Sequence, residues 1–332
     1  MIRVGVVGCK GIGIQHATGA AGLESTELAA GCDLVEDARA AFHSHWKERF
    51  PRLQMYGDHR EMLAEAKLDV VTVATSDHRH ADIVVDAAEA GVRGVFCEKP
   101  LATSVQDADR MLEACRANGT VLAVDHTRRW QPLWRAAHER VWERGEIGAV
   151  QYVVGTLNGS RAMLFRNGTH LIDAVCWFAG SKPDWVFAHL EDGYEHYTEY
   201  AGDGGHDPKT EPSASGYIHF ENGVRGFYAG GTKRGSDPKF RIEVVGSGGY
   251  LLLNDRRGEF VKSGESTFME PPSVDGATGI QGGVQELIGV VENGGAPAST
   301  GEDGAAVVEI FCGFLESQRL GNARVALPLA RS

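Results

Sequence analysis

The chain is short of cysteine, of basic charge and of long apolar runs. Its six cysteines (Cys9, Cys32, Cys97, Cys115, Cys176 and Cys312) are scattered over 332 residues with no Cys-x-x-Cys pair. That argues against a disulfide-stapled scaffold and against a thiolate metal site, and predicts reduced, mostly buried thiols. Lys and Arg number 33 against 45 Asp and Glu, for a formal net charge of −12. Nucleic-acid binders need a basic surface, and anionic lipid attracts one, so neither partner is expected. No apolar stretch reaches the ~18 residues of a membrane span. No basic patch followed by an apolar core is visible at the start, which predicts a cytoplasmic protein. What remains is ordinary globular composition, 42% hydrophobic and 23% charged, at a length that suggests two domains.

The first 125 residues alternate β-rich runs with helical patterns. Strands are expected at Ile2–Val7, Glu27–Cys32, Asp69–Thr75, Val92–Cys97 and Thr120–Val124, and helices at Val35–Phe50, Ala81–Ala90 and Ser104–Asn118. Ser104 and Asp107 have N-cap spacing, and Gly119 supplies the stop. This alternation predicts a parallel sheet covered on both faces. After helices at Pro132–Arg144 and Thr169–Phe178, residues 183–261 read as strand after strand separated by glycine turns, hence antiparallel hairpins. Helices at Val284–Asn293 and Asp303–Leu320 close the chain. Leu190–Ser213 holds seven acids and one base, Lys209, and is expected to be a mobile, solvated loop.

The first strand runs into Gly8-Cys9-Lys10-Gly11-Ile12-Gly13 and then a helix. Glycines there let backbone approach a pyrophosphate, which the free N–H groups of the helix end then hold. Gly8 and Gly13 fit the first and third glycines of G-x-G-x-x-G. Lys10 takes the second place, and Gly11 offers a shifted glycine. Asp33 lies 20 residues beyond Gly13, where an acid binds ribose hydroxyls and repels a 2′-phosphate. NAD(H) is therefore preferred, with NADP(H) left open because Lys10 can offset that repulsion.

Further segments follow in a fixed order: Ala74-Thr75-Ser76-Asp77-His78-Arg79-His80, Phe96-Cys97-Glu98-Lys99-Pro100-Leu101, Asp125-His126-Thr127-Arg128-Arg129-Trp130-Gln131-Pro132, Gly168-Thr169-His170-Leu171-Ile172-Asp173, and an apolar strand in 323–329. Over essentially its whole length the chain resembles the Gfo/Idh/MocA (glucose–fructose oxidoreductase / inositol dehydrogenase / MocA) family, with Glu-Lys-Pro the most specific element. The resemblance implies an α/β protein with a Rossmann domain at 1–124. It implies a second α/β domain at 125–332, with a large, mostly antiparallel open sheet that binds substrate and pairs subunits into a homodimer or homotetramer. It implies hydride transfer between a nicotinamide and a hydroxyl-bearing carbon of a sugar, cyclitol or sugar acid, and a Lys99–Pro100 bond in the cis form. It also implies that Thr75, Ser76, His80, Glu98, Lys99 and Arg128 join Gly8, Lys10, Gly11, Ile12, Gly13 and Asp33 around the cofactor.

Oxidising a secondary alcohol needs a base for the hydroxyl proton. Lys99 follows the carboxyl end of a parallel strand, where open α/β sheets bind ligands, and burial can bring a lysine into acid/base range. His170, in the first turn of a helix, is the second catalytic choice, because the helix dipole favours its neutral ring. Asp173, one turn on, is expected to orient His170 or bind substrate. One departure stands out. Inositol dehydrogenase-like members carry a catalytic Asp four residues before this His, and here that residue is Arg166. An arginine is no base, but it can grip a carboxylate or phosphate, with Arg161 and Arg129 beside it, or it can face solvent or a partner subunit. His78 and His80 have no completing ligands, so no metal is expected. Two other functions stay open on the same fold: redox-neutral elimination or glycoside cleavage with retained NAD, and a non-catalytic dinucleotide-binding regulator.

Overall fold

The computed structural model describes residues 1–160, 162–203, 205, 207–231, 233 and 240–331; Arg161 lies outside them. The chain opens with β1 (Ile2–Val7), α1 (Ile12–Ala21), β2 (Thr26–Cys32), α2 (Glu36–Trp46), β3 (Gln54–Tyr56), α3 (His59–Ala66), β4 (Val70–Val73), α4 (His80–Glu89), β5 (Gly94–Cys97), α5 (Val105–Asn118) and β6 (Val121–Val124). These six strands form one parallel sheet in the order β3-β2-β1-β4-β5-β6. The reversal of direction across β1 and β4 is the switch point at which doubly wound sheets open a crevice. β4 and β5 are buried along their whole length, as expected of strands covered on both faces. Ser104 accepts from the Asp107 N–H, and Gly119 ends α5 in the left-handed region, so both signals at that helix act as expected.

α6 (Pro132–Trp142), β7 (Val150–Leu157), α7 (Gly168–Ala179), β8 (Pro183–Leu190), β9 (Ala214–Phe220), β10 (Arg225–Gly230), β11 (Phe240–Gly246), β12 (Tyr250–Asn254), β13 (Gly258–Lys262), β14 (Glu265–Met269), α8 (Gly279–Asn293), α9 (Gly301–Arg319) and β15 (Val325–Ala326) follow. A nine-stranded sheet runs β14-β13-β12-β11-β7-β10-β9-β8-β15. Among the described residues of this sheet, only β7 and β10 pair in parallel. One face of it packs on α7 and α9 in the largest core, around Phe165, Phe178, Phe311 and Phe314.

α8 returns to the first sheet. Its Val284, Leu287, Ile288 and Val291 share a core with Ile2, Val4, Phe96 and Trp130. The parallel sheet is thus closed by a helix from the far end of the chain. β3, α3, β7 and β14 are absent from the sequence reading. β3 has three residues, and β7 carries a glycine in its buried face (Val153, Gly155, Leu157) and apolar Val150, Tyr152 and Val154 on its half-buried face, so neither presents a strong periodic signal.

Candidate functional site

Strand register builds the site. Val7 lies beside Val73, Val73 beside Cys97, and Cys97 beside Val124, so β1, β4, β5 and β6 end in one row. The next residues, Gly8, Ala74, Glu98 and Asp125, stay in that row, each N–H donating to the neighbouring strand's last carbonyl at 2.8–2.9 Å. Together with Asp33 after β2, they line a cleft of about 900 Å³. It extends from Asp33, Leu34 and Val35 at one end to Lys99, Arg166, Asn167 and His170 at the other.

The Asp33 end is made by backbone. Gly8 has φ +95°, and a Cβ there would stand 2.3 Å from the Ala74 carbonyl oxygen; one on Gly13 would stand 1.7 Å from the Gly8 oxygen. Both must be glycine for the turn to close. Gly11 (φ +50°) opens onto free space. No side chain caps α1, and no acid sits in its first turn, which leaves its positive end open for an anion. Asp33 accepts from the N–H groups of Cys9 and Val35, both at 2.9 Å, and Arg39 donates to its carbonyl at 2.6 Å. Lys10 and Ile12 line the cleft, and Gly11 and Gly13 support the turn behind them.

The other end is made by charged side chains from distant segments. Lys99 follows β5, its bond to Pro100 is cis, and its Nζ donates to the Arg166 carbonyl at 3.0 Å. His170 lies in the first turn of α7 and lines the cleft beside them. The Arg166 guanidinium does not face an empty anion pocket. Its Nη2 donates to the Tyr200 hydroxyl at 3.1 Å and stands 3.5 Å from Asp77 Oδ2, and its Nε stands 3.5 Å from Glu211 Oε1. The Tyr200 hydroxyl donates in turn to Asp77 Oδ2. Glu211 also accepts from the N–H groups of Phe165 and Arg166, at 2.8 and 3.1 Å. The acidic stretch is therefore not wholly a solvated loop. Glu211 (1% exposed) and Tyr200 (7%) are drawn into the protein, and the Gly202 carbonyl accepts from the N–H and Nδ1 of His78 on the first domain.

Behind Lys99, His16, Glu98 and Asp125 place their ligating atoms within 4.8 Å of one another. His16 Nε2 is 3.4 Å from Glu98 Oε1. Burial lowers the His16 pKa to about 4, so the ring is neutral. Burial raises Glu98, and burial together with the Glu98 charge raises Asp125 well above the carboxylate range. Two hydrogen-bonded carboxyls in such surroundings share a proton, because both cannot ionise.

Several expected site residues lie elsewhere. Asp173 and Arg129 do not line the cleft. They form a buried ion pair, with Arg129 Nη2 2.8 Å and Nε 3.1 Å from Asp173 Oδ1, extended by His126 at 3.1 Å, the Ala298 carbonyl at 2.7 Å and Asp303. Three residues along a helix is a turn of about 60° off the His170 face and a rise of about 4.5 Å, enough to aim Asp173 under the helix. Arg128 is held by Asp255 at 2.7 and 2.9 Å over the Phe240 ring, also outside the cleft lining. His80 is fully buried, with its ring between the carbonyls of Pro100 and Thr75; Thr75 and Ser76 do line the cleft. Asp77, Asp125, Thr127 and Asn167 line it as well. For Asp125 and Asp77 the available signal was position, one and four residues past a parallel strand. For Tyr200 and Glu211 the sequence carries none.

The profile described as "Oxidoreductase family, NAD-binding Rossmann fold" matches residues 2–126, and that described as "GFO/IDH/MocA C-terminal domain" matches 134–252. Myo-inositol 2-dehydrogenase of Thermotoga maritima is 26% identical over 352 residues, 97% of each chain. Inositol 2-dehydrogenase of Salmonella typhimurium is 32% identical over 187 residues, covering 53% of this chain and 54% of that one. Among solved structures, levoglucosan dehydrogenase in complex with NADH and levoglucosan superposes with a TM-score of 0.79 at 19% identity, covering 99% of this chain and all of that one. The WlbA dehydrogenase of Bordetella pertussis, in complex with NADH and UDP-GlcNAcA, gives 0.79 at 21% identity over 99% of each chain. These two likenesses are of fold. By its two matched domains and their order, the chain belongs to the Gfo/Idh/MocA oxidoreductase family.

Proposed function

We propose that the chain is an NAD(H)-dependent dehydrogenase that interconverts a secondary alcohol and a ketone on a sugar or cyclitol. The observation that carries this reading is the meeting of Lys99 and His170 at one end of a cleft whose other end is the Gly8–Gly13 turn with Asp33. The residues present suit a dinucleotide: two glycines that admit no Cβ, an uncapped helix end for the pyrophosphate, and an acid fixed by two N–H groups for the ribose. Asp33 makes NAD(H) the preferred form, and exposed Lys10 is the residue that would soften that preference. When bound, the nicotinamide supplies the hydride acceptor or donor.

The chain's own part is to orient the alcohol and handle its proton. Lys99 Nζ, held at the Arg166 carbonyl, takes the hydroxyl proton in the oxidising direction and returns it in the reducing one. His170 stands beside it to bind the same oxygen or pass the proton on. The half-exposed aromatic face of the second sheet, where Trp185, Phe187 and Tyr217 stack, is where we place contact with a second copy. The boundary near residue 125 leaves the cofactor turn and Lys99 on the first domain and His170 on the second, so the substrate is met by both.

The test is a screen of the purified chain against sugars, cyclitols and sugar acids by NADH absorbance. Turnover of at least one of them is expected. Turnover of none of them, with NADH bound, would overturn the dehydrogenase reading.

A further inference from the structure

Position 166 carries a cation, yet the cleft does not gain a free positive charge there. Asp77 and Glu211 flank the guanidinium at 3.5 Å each, and the Tyr200 hydroxyl ties it to Asp77. Two carboxylates against one guanidinium offset its charge. Of the other cationic residues of the lining, Arg60, Arg79 and Lys10 are exposed to solvent, where water screens them, and Lys99 is held at the Arg166 carbonyl.

Asp77 is different from Glu211 in one respect: it lines the cleft and Glu211 does not. Its contacts to Tyr200 and Arg166 both fall on Oδ2. Among the described residues, that leaves Oδ1 to accept from a ligand. A buried carboxylate oxygen so placed pairs strongly with a hydroxyl and repels a second carboxylate.

We propose that Asp77, contributed by the first domain, is the substrate-facing carboxylate of this cleft, and that it selects a neutral polyhydroxylated ring over the analogue bearing a carboxylate. Tyr200 is its positioning residue: the phenol ring stacks on Phe165 at 4.4 Å and carries the hydroxyl across from the second domain to Asp77. Arg166 then acts through its carbonyl on Lys99 and through its guanidinium on Asp77, and does not bind the substrate's charge. This rests on the reading of the cleft as a sugar site and adds to it the residue that sets substrate charge.

The test uses matched pairs that differ only at one carbon: glucose with glucuronate, and galactose with galacturonate. Their Kd values are measured by calorimetry on the full chain saturated with NADH. At least one neutral sugar is expected to bind tenfold or more tightly than its acid. In Asp77→Asn the neutral sugar should lose tenfold or more, and the acid should approach it. Tyr200→Phe keeps the stacked ring and should give a smaller change in the same direction. NADH affinity, measured on each variant, reports whether the fold survived. An acid that binds as well as its neutral partner, or a neutral-to-acid ratio unmoved by Asp77→Asn with NADH binding intact, overturns the proposal and leaves the sugar-site reading standing. Binding of no pair removes both.

Discussion

The two ends of the cleft are built on different principles. At Asp33, backbone does the binding: glycines that tolerate no Cβ, helix N–H groups and one fixed acid, all drawn from residues 8–35. At Lys99, side chains do it, and they arrive from five places: Asp77, Glu98 with Lys99, Asp125, Arg166 with His170, and the stretch from Tyr200 to Glu211. A site made of local backbone is written contiguously in the chain. A site made of mutually neutralised buried charges depends on contacts between residues 34 to 123 positions apart. Substitution at one end should leave the other working if the two are independent.

The largest expected effect breaks that symmetry outright. Lys99→Ala should lower kcat about a thousandfold, as read by NADH absorbance on the best substrate; full activity would remove Lys99 from the chemistry. Next comes a pair that the sequence placed at the reacting end and the structure places beneath it. Asp173→Ala leaves the buried Arg129 charge with only the partly exposed Asp303 as a carboxylate partner, at a cost of about 3 kcal/mol, visible as a melting-temperature drop of roughly ten degrees. A stable Asp173→Ala protein with crippled turnover would return Asp173 to the site. Asp33→Ala should weaken NAD+ binding about tenfold, equivalent to about 1.4 kcal/mol, and narrow its discrimination against NADP+. An unchanged cofactor preference would show that Asp33 does not face the ribose.

The smallest effect is a control away from both ends. His138 stacks on Trp177 at 4.3 Å, and burial lowers its pKa from 6.5 to about 4. Between those values the unfolded chain takes up a proton that the folded chain refuses. The stability this ring contributes above 6.5 is therefore lost as pH falls toward 4. His138→Phe should lose about 1 kcal/mol less than the parent between pH 7 and 5, after allowance for its partial exposure. Equal losses in thermal melts at the two pH values would refute this, and NADH affinity should not move.

How much was legible in the sequence follows the same division. The parallel sheet, the hairpin-rich second domain and the glycine turn could be read because period-2 and period-3.6 patterns and glycine positions are local. Lys99 and His170 could be placed in one cleft because each sits at an element end, after β5 and at the start of α7. Helical spacing sets Asp173 one turn from His170 but leaves it about 60° off that face, and Arg129 carries no spacing signal; their mutual buried ion pair decides where both point. Arg166 could be flagged as a departure, but its neutralisation could not, since Asp77 lies 89 positions before it and Glu211 45 after it. The acidic stretch looked solvated because composition does not distinguish Glu211, buried against two N–H groups, from its exposed neighbours.

The most direct test of the division is one experiment on three proteins. NADH Kd, by fluorescence titration, and kcat are measured together for the parent chain, Lys99→Ala and Asp33→Ala. The account predicts a crossed pattern: Lys99→Ala keeps its Kd and loses kcat, while Asp33→Ala loses Kd and keeps kcat once cofactor is saturating. If Kd and kcat fall together in both variants, the cleft works as one unit and the account is wrong.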